Sequence, residues 1–335
     1  MKLVTYIKDE HEQLALLLNG LLYDTDLLHP DLPISMSMFL NYWDDVMPLA
    51  LAVEQRLKDG NGRTIMSTPF DDAVLMAPIP HPSSCRDGYA FRQHVASARR
   101  NRGVEMIPEF DKFPIFYFTN HNSIQGPGDI YCMPDHFDKL DFELEAAIVI
   151  NRGGRNIKAA EADEYIAGLM IMNDMSARTL QMEEMMLNLG PAKGKDFSTV
   201  IGPMLVTLDE LKEYEVPCKD GHTGKAWNLG MKCWVNGTQV SEGNVSDMDW
   251  TFAEIIERAS YGVNLFPGDV IGSGTVGTGC FLELNGTGKL NNPDFQPQWL
   301  LEGDVVEMEI DGLGKLNNTI VKDEDDFSIL ALKKS

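Results

Sequence analysis

The chain has 335 residues, 44% hydrophobic and 24% charged, which is enough to bury a core and unlike a disordered segment. Lys and Arg number 28 against 51 Asp and Glu, and the formal net charge of −23 excludes a broad basic face for nucleic acid or an anionic membrane. No run approaches the roughly 20 apolar residues of a membrane helix, and five scattered cysteines (Cys85, Cys132, Cys218, Cys233, Cys280) form no C-x-x-C pair, so a cytoplasmic protein with reduced thiols is expected.

In chain order, KLVTYIK predicts an opening strand, and EQLALLLNGLLYDTDLL predicts two strands joined at Asn19-Gly20. Residues 35–58 carry a helical pattern that Pro48 should kink or split. The stretch 59–84 holds DGNG and then Pro69, Pro78, Pro80 and Pro82, and it places a boundary near residue 80 between a small N-terminal α+β domain (1–80) and a larger domain (81–335). Beyond it, LEAAIVI, AGLMIM, MKCWVNG, DVIGSGT, CFLELNG and DVVEMEI predict strands separated by turn residues. Two helices are expected among them. One follows Ser176 and stops at Gly190, with Met182, Met185 and Met186 as packing. The other follows Thr251, with Glu254 completing a capping box.

Five segments carry candidate chemistry. In Asp141-Phe142-Glu143-Leu144-Glu145, a strand puts Glu143 and Glu145 on one face and Phe142 and Leu144 into packing. Two such carboxylates repel unless a proton or cation lies between them, and oxygen ligands suit Mg²⁺ or Ca²⁺. Alone, the pair fits an exposed strand face with two solvated glutamates better than a metal site. In Asn173-Asp174-Met175-Ser176-Ala177-Arg178-Thr179-Leu180-Gln181, Arg178 and Gln181 share a helix face, while Asp174 or Ser176 could simply cap that helix. In Cys85-Arg86-Asp87-Gly88-Tyr89-Ala90-Phe91-Arg92-Gln93-His94, helical spacing would put Asp87 and His94 two turns apart on one side. Lys195, in Gly194-Lys195-Asp196-Phe197, would ordinarily be solvated. Gly272, Gly274 and Gly277 satisfy G-x-G-x-x-G, but a dinucleotide site is rejected because CFLEL, which follows, has the pattern of a strand rather than the required helix.

Together, E-L-E, N-D-x-S-A-R-x-x-Q, G-K-D-F and P-G-D-x-I-x-x-G-T resemble the fumarylacetoacetate hydrolase superfamily, from about Cys85 to about Lys322. The resemblance implies a mainly β fold with α (a mixed β-sandwich roll of the family's C-terminal type), and a homodimer. It implies a divalent cation, Mg²⁺ or Ca²⁺, held by Asp87, Glu143, Glu145 and Asp174. It implies His94 paired with Glu283 to activate water, with Lys195 and Gln181 also catalytic. Tyr89, Arg178, Thr275 and one arginine among Arg99, Arg100 and Arg102 would contact substrate, Arg102 being the one chosen. The family tyrosine of the following segment has no clear counterpart, Tyr117 being displaced.

The implied reaction is hydrolysis of a carbon–carbon bond in a small β-diketo acid such as a fumarylacetoacetate or acylpyruvate, as in aromatic amino acid catabolism. The leaving carbanion departs only as an enolate, which a chelated divalent cation and nearby cations such as Lys195 and Arg178 would stabilise. On the same platform the superfamily also decarboxylates, hydrates or isomerises 2-oxo acids. A non-catalytic metabolite-binding protein would be expected to have lost His94 or Glu283, and both are present.

Overall fold

The computed structural model describes residues 1–60 and 65–334. Part of the expected DGNG turn, Asn61–Gly62, lies outside the described residues. The strands used below are β1 (Lys2–Lys8), β2 (His11–Leu18), β3 (Leu21–Asp24), β4 (Ser84–Gly88), β5 (Phe116–Thr119), β6 (Gly128–Cys132), β7 (Leu144–Ile150), β8 (Ile166–Asp174), β9 (Thr199–Thr207), β10 (Gly230–Val235), β11 (Thr238–Asn244), β12 (Asp269–Gly272), β13 (Val305–Ile310) and β14 (Gly314–Lys322). The helices are α1 (Met36–Asn41), α2 (Trp43–Lys58), α3 (Arg92–Asn101), α4 (Arg178–Met185), α5 (Phe252–Ser260) and α6 (Phe281–Asn291).

The fold is mixed α/β around a large mixed sheet. That sheet runs β3-β2-β1-β9-β8-β7-β12-β4-β5, with short strands added at its margins, and β12 and β4 are parallel within it. A second sheet runs β11-β10-β13-β14-β6. Every residue of β7 and β8 is buried, as a central strand covered on both faces requires. Alternation then feeds two cores. Leu144, Ala146, Ile148 and Ile150 join Met231, Cys233, Met308 and Ile310 of the second sheet. Ala147 and Val149 face the other way, toward Phe39, Leu40, Val46 and Val53 of α1 and α2. The N-terminal hairpin forms at Asn19-Gly20 as expected, and β1 pairs with β9, so the N-terminal strands β1–β3 extend the main sheet.

Several sequence expectations differ in place. The helical stretch 35–58 breaks at Tyr42 (φ −111°, ψ 25°) and not at Pro48, which lies inside α2. CFLELNG is helix α6, not a strand. The helix after Ser176 ends at Met185, short of Gly190, because Asn188 takes a left-handed turn (φ 57°). Its methionines are exposed rather than packed, since the buried residues of α4 are Arg178 and Leu180. The Thr251–Glu254 capping box on α5 forms as predicted. Among the described residues no helix is long and apolar enough to cross a membrane.

Candidate active site

Register across the main sheet assembles the acids. Glu143 precedes β7, and its carbonyl accepts from the Asp174 amide at the end of β8 (3.3 Å). Glu145 follows on the same strand, opposite Met172. Asp87 on β4 is paired with Gly272 on β12, and Gly272 is also paired with Ala147 of β7. Gly272 therefore lies between the two acid-bearing strands. A Cβ there would sit 2.6 Å from Asp87 Oδ1 and 3.0 Å from Glu145 Oε2, so only glycine leaves room for the carboxylates. Asp87, Glu143, Glu145 and Asp174 are all buried, each offering an oxygen within 4.8 Å of the others. The solvated-glutamate alternative is thereby removed.

Two cations enter this cluster. Lys195 is buried rather than solvated, and its Nζ donates to Asp174 Oδ2 (2.7 Å) and to Glu143. Arg178 donates through Nη2 to Glu143 Oε1 (2.8 Å), through Nε to Asp141 Oδ2 (2.8 Å) and through Nη1 to Gln181 Oε1 (2.9 Å), as their shared helix face predicts. Neither Asp174 nor Ser176 caps α4, whose N-cap is Ala177 without a side-chain bond. Gly194 packs against the Gln181 backbone, which fixes the loop carrying Lys195 beside α4. On the outer side, the Tyr117 hydroxyl donates to Asp174. Its register partner on β4 is Asp87, so Tyr117 belongs to the site although its sequence position looked displaced. The β-favouring aromatic run Phe116-Tyr117-Phe118-Thr119 is the sequence signal for β5.

Burial dominates the proton affinities here. It pushes the Asp87 carboxyl up to about 7, and it holds Glu145 well above the usual range, with the Asp87 charge adding to the rise. Burial would raise Glu143 too, but Lys195, Arg178 and His94 together bring it down to about 2. Like charges 4 Å apart cost about 4 kcal/mol at an effective dielectric of 20. The Asp87–Glu145 pair thus requires a shared proton or a cation. Asp174 Oδ1 is buried and has no hydrogen-bond partner among the described residues. An all-oxygen donor set, an orphaned carboxylate oxygen and a glycine cradle fit a hard divalent cation.

The glycine loop after β12 serves the same acids. Gly274 N–H donates to Asp87 Oδ1 (3.1 Å) and Glu145 Oε2 (3.2 Å), and the Thr275 hydroxyl donates to Glu145 Oε1 (3.4 Å). Helix α6, not the expected strand, follows the glycines. Geometry still excludes a dinucleotide: the loop amide points at carboxylates, and the first amides of α6 donate to Asp141.

Beside the acids lies the second half of the site. His94 Nδ1 is 2.7 Å from Glu283 Oε2, joining residues 189 apart in sequence, both buried. Asp87 is on a strand and His94 on α3, so they do not share a helix face as the spacing suggested. Glu283 faces the site from α6, not from a strand. Gly286 of α6 abuts the Asn101 side chain of α3, where a Cβ would lie 2.4 Å from Nδ2. Tyr89 packs edge-on against His94 with ring centroids 5.9 Å apart, and burial raises its phenol against the lowering pull of Arg102 and Arg99. Arg100 instead donates to Thr287 Oγ1 (3.0 Å), and the Arg102 Nε donates to the Ala98 carbonyl (3.1 Å). Asp141 and Cys280 were not among the candidates. Asp141 begins the alternation that continues through Glu143 and Glu145, a visible signal. Cys280 lies with His94 and Glu143, and no sequence pattern marked it.

Comparison with known proteins identifies the family of the fold. The family described as "Fumarylacetoacetate (FAA) hydrolase C-terminal" matches residues 84–321. A mitochondrial oxaloacetate tautomerase of Xenopus laevis is 31% identical over 304 residues, 90% of this chain and 83% of that protein. The oxaloacetate tautomerase YisK of Bacillus subtilis (strain 168) is 31% identical over 257 residues, 75% of this chain and 74% of that protein. Among solved structures, maleylpyruvate hydrolase from Sphingobium sp. SYK-6, in complex with manganese(II) and pyruvate, superposes with a TM-score of 0.68 at 19% identity, covering 97% of this chain and all of that one. The expected cytoplasmic location gains no support from relatives whose names are mitochondrial or bacterial.

Proposed function

Since the chain belongs to the fumarylacetoacetate hydrolase family, we propose that it is a divalent-metal-dependent hydrolase that cleaves a carbon–carbon bond in a β-diketo acid of the fumarylacetoacetate or acylpyruvate kind. The observation that carries this reading is the His94–Glu283 pair, 2.7 Å apart beside the acid cluster. Such an imidazole–carboxylate couple supplies the general base that hydrolysis requires to activate water.

Asp87, Glu143, Glu145 and Asp174 would hold Mg²⁺ or Ca²⁺, which would supply Lewis-acid stabilisation to the oxygens of a 1,3-dioxygen substrate. Glu283 on Nδ1 fixes the His94 tautomer and stabilises its cation, leaving the other ring nitrogen to take a proton from water. Hydroxide adds to the carbonyl carbon, the adjacent carbon–carbon bond breaks, and its electron pair goes to the α-carbon, which takes the proton back from His94. Lys195 and Arg178 bring positive charge to the oxygens where negative charge develops. Gln181, held by Arg178, would contact the substrate, as would Tyr89 beside His94, Thr275 and Arg102.

A second reading, tautomerisation of a 2-oxo acid, is favoured by the relatives that are oxaloacetate tautomerases. Product analysis separates the two. With Mg²⁺ or Ca²⁺, acetylpyruvate in ¹⁸O-water should yield two acids, one carrying the label. Absence of cleavage across β-diketo acids, together with enzyme-accelerated enol–keto exchange of oxaloacetate, would replace the hydrolase reading with the tautomerase one.

A further inference from the structure

Asp141 is completely buried and accepts from both halves of the site. Its Oδ1 takes the amides of Phe142 (3.0 Å) and Phe281 (2.7 Å). Its Oδ2 takes the Leu282 amide (2.9 Å), Arg178 Nε (2.8 Å) and Arg178 Nη2 (2.7 Å). Phe281 and Leu282 are the first two residues of α6, and Glu283 is the third. The N-cap residue of that helix, Cys280, makes no side-chain capping bond. A helix without a local cap leaves its first amides unsatisfied. Asp141, far away in sequence, supplies the cap instead.

This bond fixes where α6 begins. A start displaced by one residue would rotate Glu283 about 100° around the helix axis, since a turn holds 3.6 residues. The same carboxylate grips the guanidinium that grips Glu143. We propose that Asp141 is a positioning residue that sets the His94–Glu283 pair in register with the acid cluster, acting on turnover through Glu283 and touching neither substrate nor cation. This inference rests on the hydrolytic reading of that pair.

Asp141→Asn keeps the shape but turns an NH₂ group toward the α6 amides or Arg178. On acetylpyruvate with saturating Mg²⁺, kcat should fall about 10²-fold, the cost of a misplacement near 1 Å, while KM changes less than about threefold. In a His94→Ala background the same change should cost less than about threefold, because groups acting as a unit are not additive. Cys280→Ser restores a cap within the helix, and Asp141→Asn/Cys280→Ser should recover about tenfold over Asp141→Asn. If Asp141→Asn alone does not fold, the double variant is measured in its place in both backgrounds. A full, additive loss in the His94→Ala background overturns the positioning role while leaving the hydrolase reading intact. A His94→Ala enzyme that keeps its activity overturns the reading beneath it.

Discussion

The acid cluster and the His94–Glu283 pair adjoin, yet the chain assembles them by different means. The acids come from strands of one sheet, β7, β8 and β4 with β12 between, where hydrogen-bonded register delivers Asp87, Glu145 and Asp174 to one place without further instruction. The pair comes from two helices that meet through side-chain packing, with Gly286 permitting the approach and Asp141 fixing one helix end. A ladder of backbone bonds is hard to displace by a fraction of an ångström. A helix contact shifts with one methyl group. Cation binding should therefore tolerate changes that turnover does not.

The widest separation comes from deleting function on each side. Glu143→Gln or Glu145→Gln should abolish tight Mg²⁺ or Ca²⁺ binding by calorimetry, and activity with it, since each removes a negative ligand oxygen from a site with few others to offer. His94→Ala should lower kcat by about 10²–10⁴ while the cation affinity stays within about twofold. Equal metal affinity in the glutamine variants, or a loss of turnover below tenfold in His94→Ala, would dissolve the distinction.

How much could be read beforehand follows the same division. Glu143 and Glu145 were legible because strand side chains alternate strictly, and Asp174 because it closes an apolar run. Their burial was not legible, since it depends on a second sheet and two N-terminal helices closing over both faces of β7. Lys195 looked solvated for the same reason: its partners are 21 and 52 residues away. Helix α6 was missed because its local signals are absent. Its cap is Asp141, and its interior holds Gly286 and Gly288, each costing about 1 kcal/mol against alanine in an isolated helix. Here both glycines answer to contacts, with Asn101 and the Phe295 ring. Motif order named the family; only the packing explains why these residue types stand there.

Gly286→Ala sharpens the comparison at a smaller scale. Alanine favours the helix by about 1 kcal/mol in isolation, but its Cβ would press on Asn101 and push α6 from α3. We expect kcat to drop about tenfold, a fraction of the 10²-fold seen for 1 Å misplacements, with cation affinity unchanged in calorimetry. A variant more stable and equally active would show that the helix contact has slack.

The smallest effect is one of pH on stability, and it belongs to the cluster alone. Asp87, with its carboxyl raised to about 7 by burial, and Glu145, also raised well above its ordinary value, keep their protons longer in the fold than in the unfolded chain. Their contribution is complete below the unfolded values near 4, and that of Asp87 is lost as pH rises through 7. His136 acts oppositely at lower pH: burial holds its imidazole down to about 4, so its contribution is present above 6.5 and lost as pH falls toward 4. Glu143, at about 2, likewise weakens the fold only in acid. The window from pH 6.5 to 8 therefore reports on raised carboxyls, Asp87 and Glu145 foremost. In EDTA, Tm should fall across it. Saturating Mg²⁺ or Ca²⁺, taking the place of the proton between the carboxylates, should flatten the slope, and a Tm that rises with pH in EDTA would mean that the pair does not hold a proton at all.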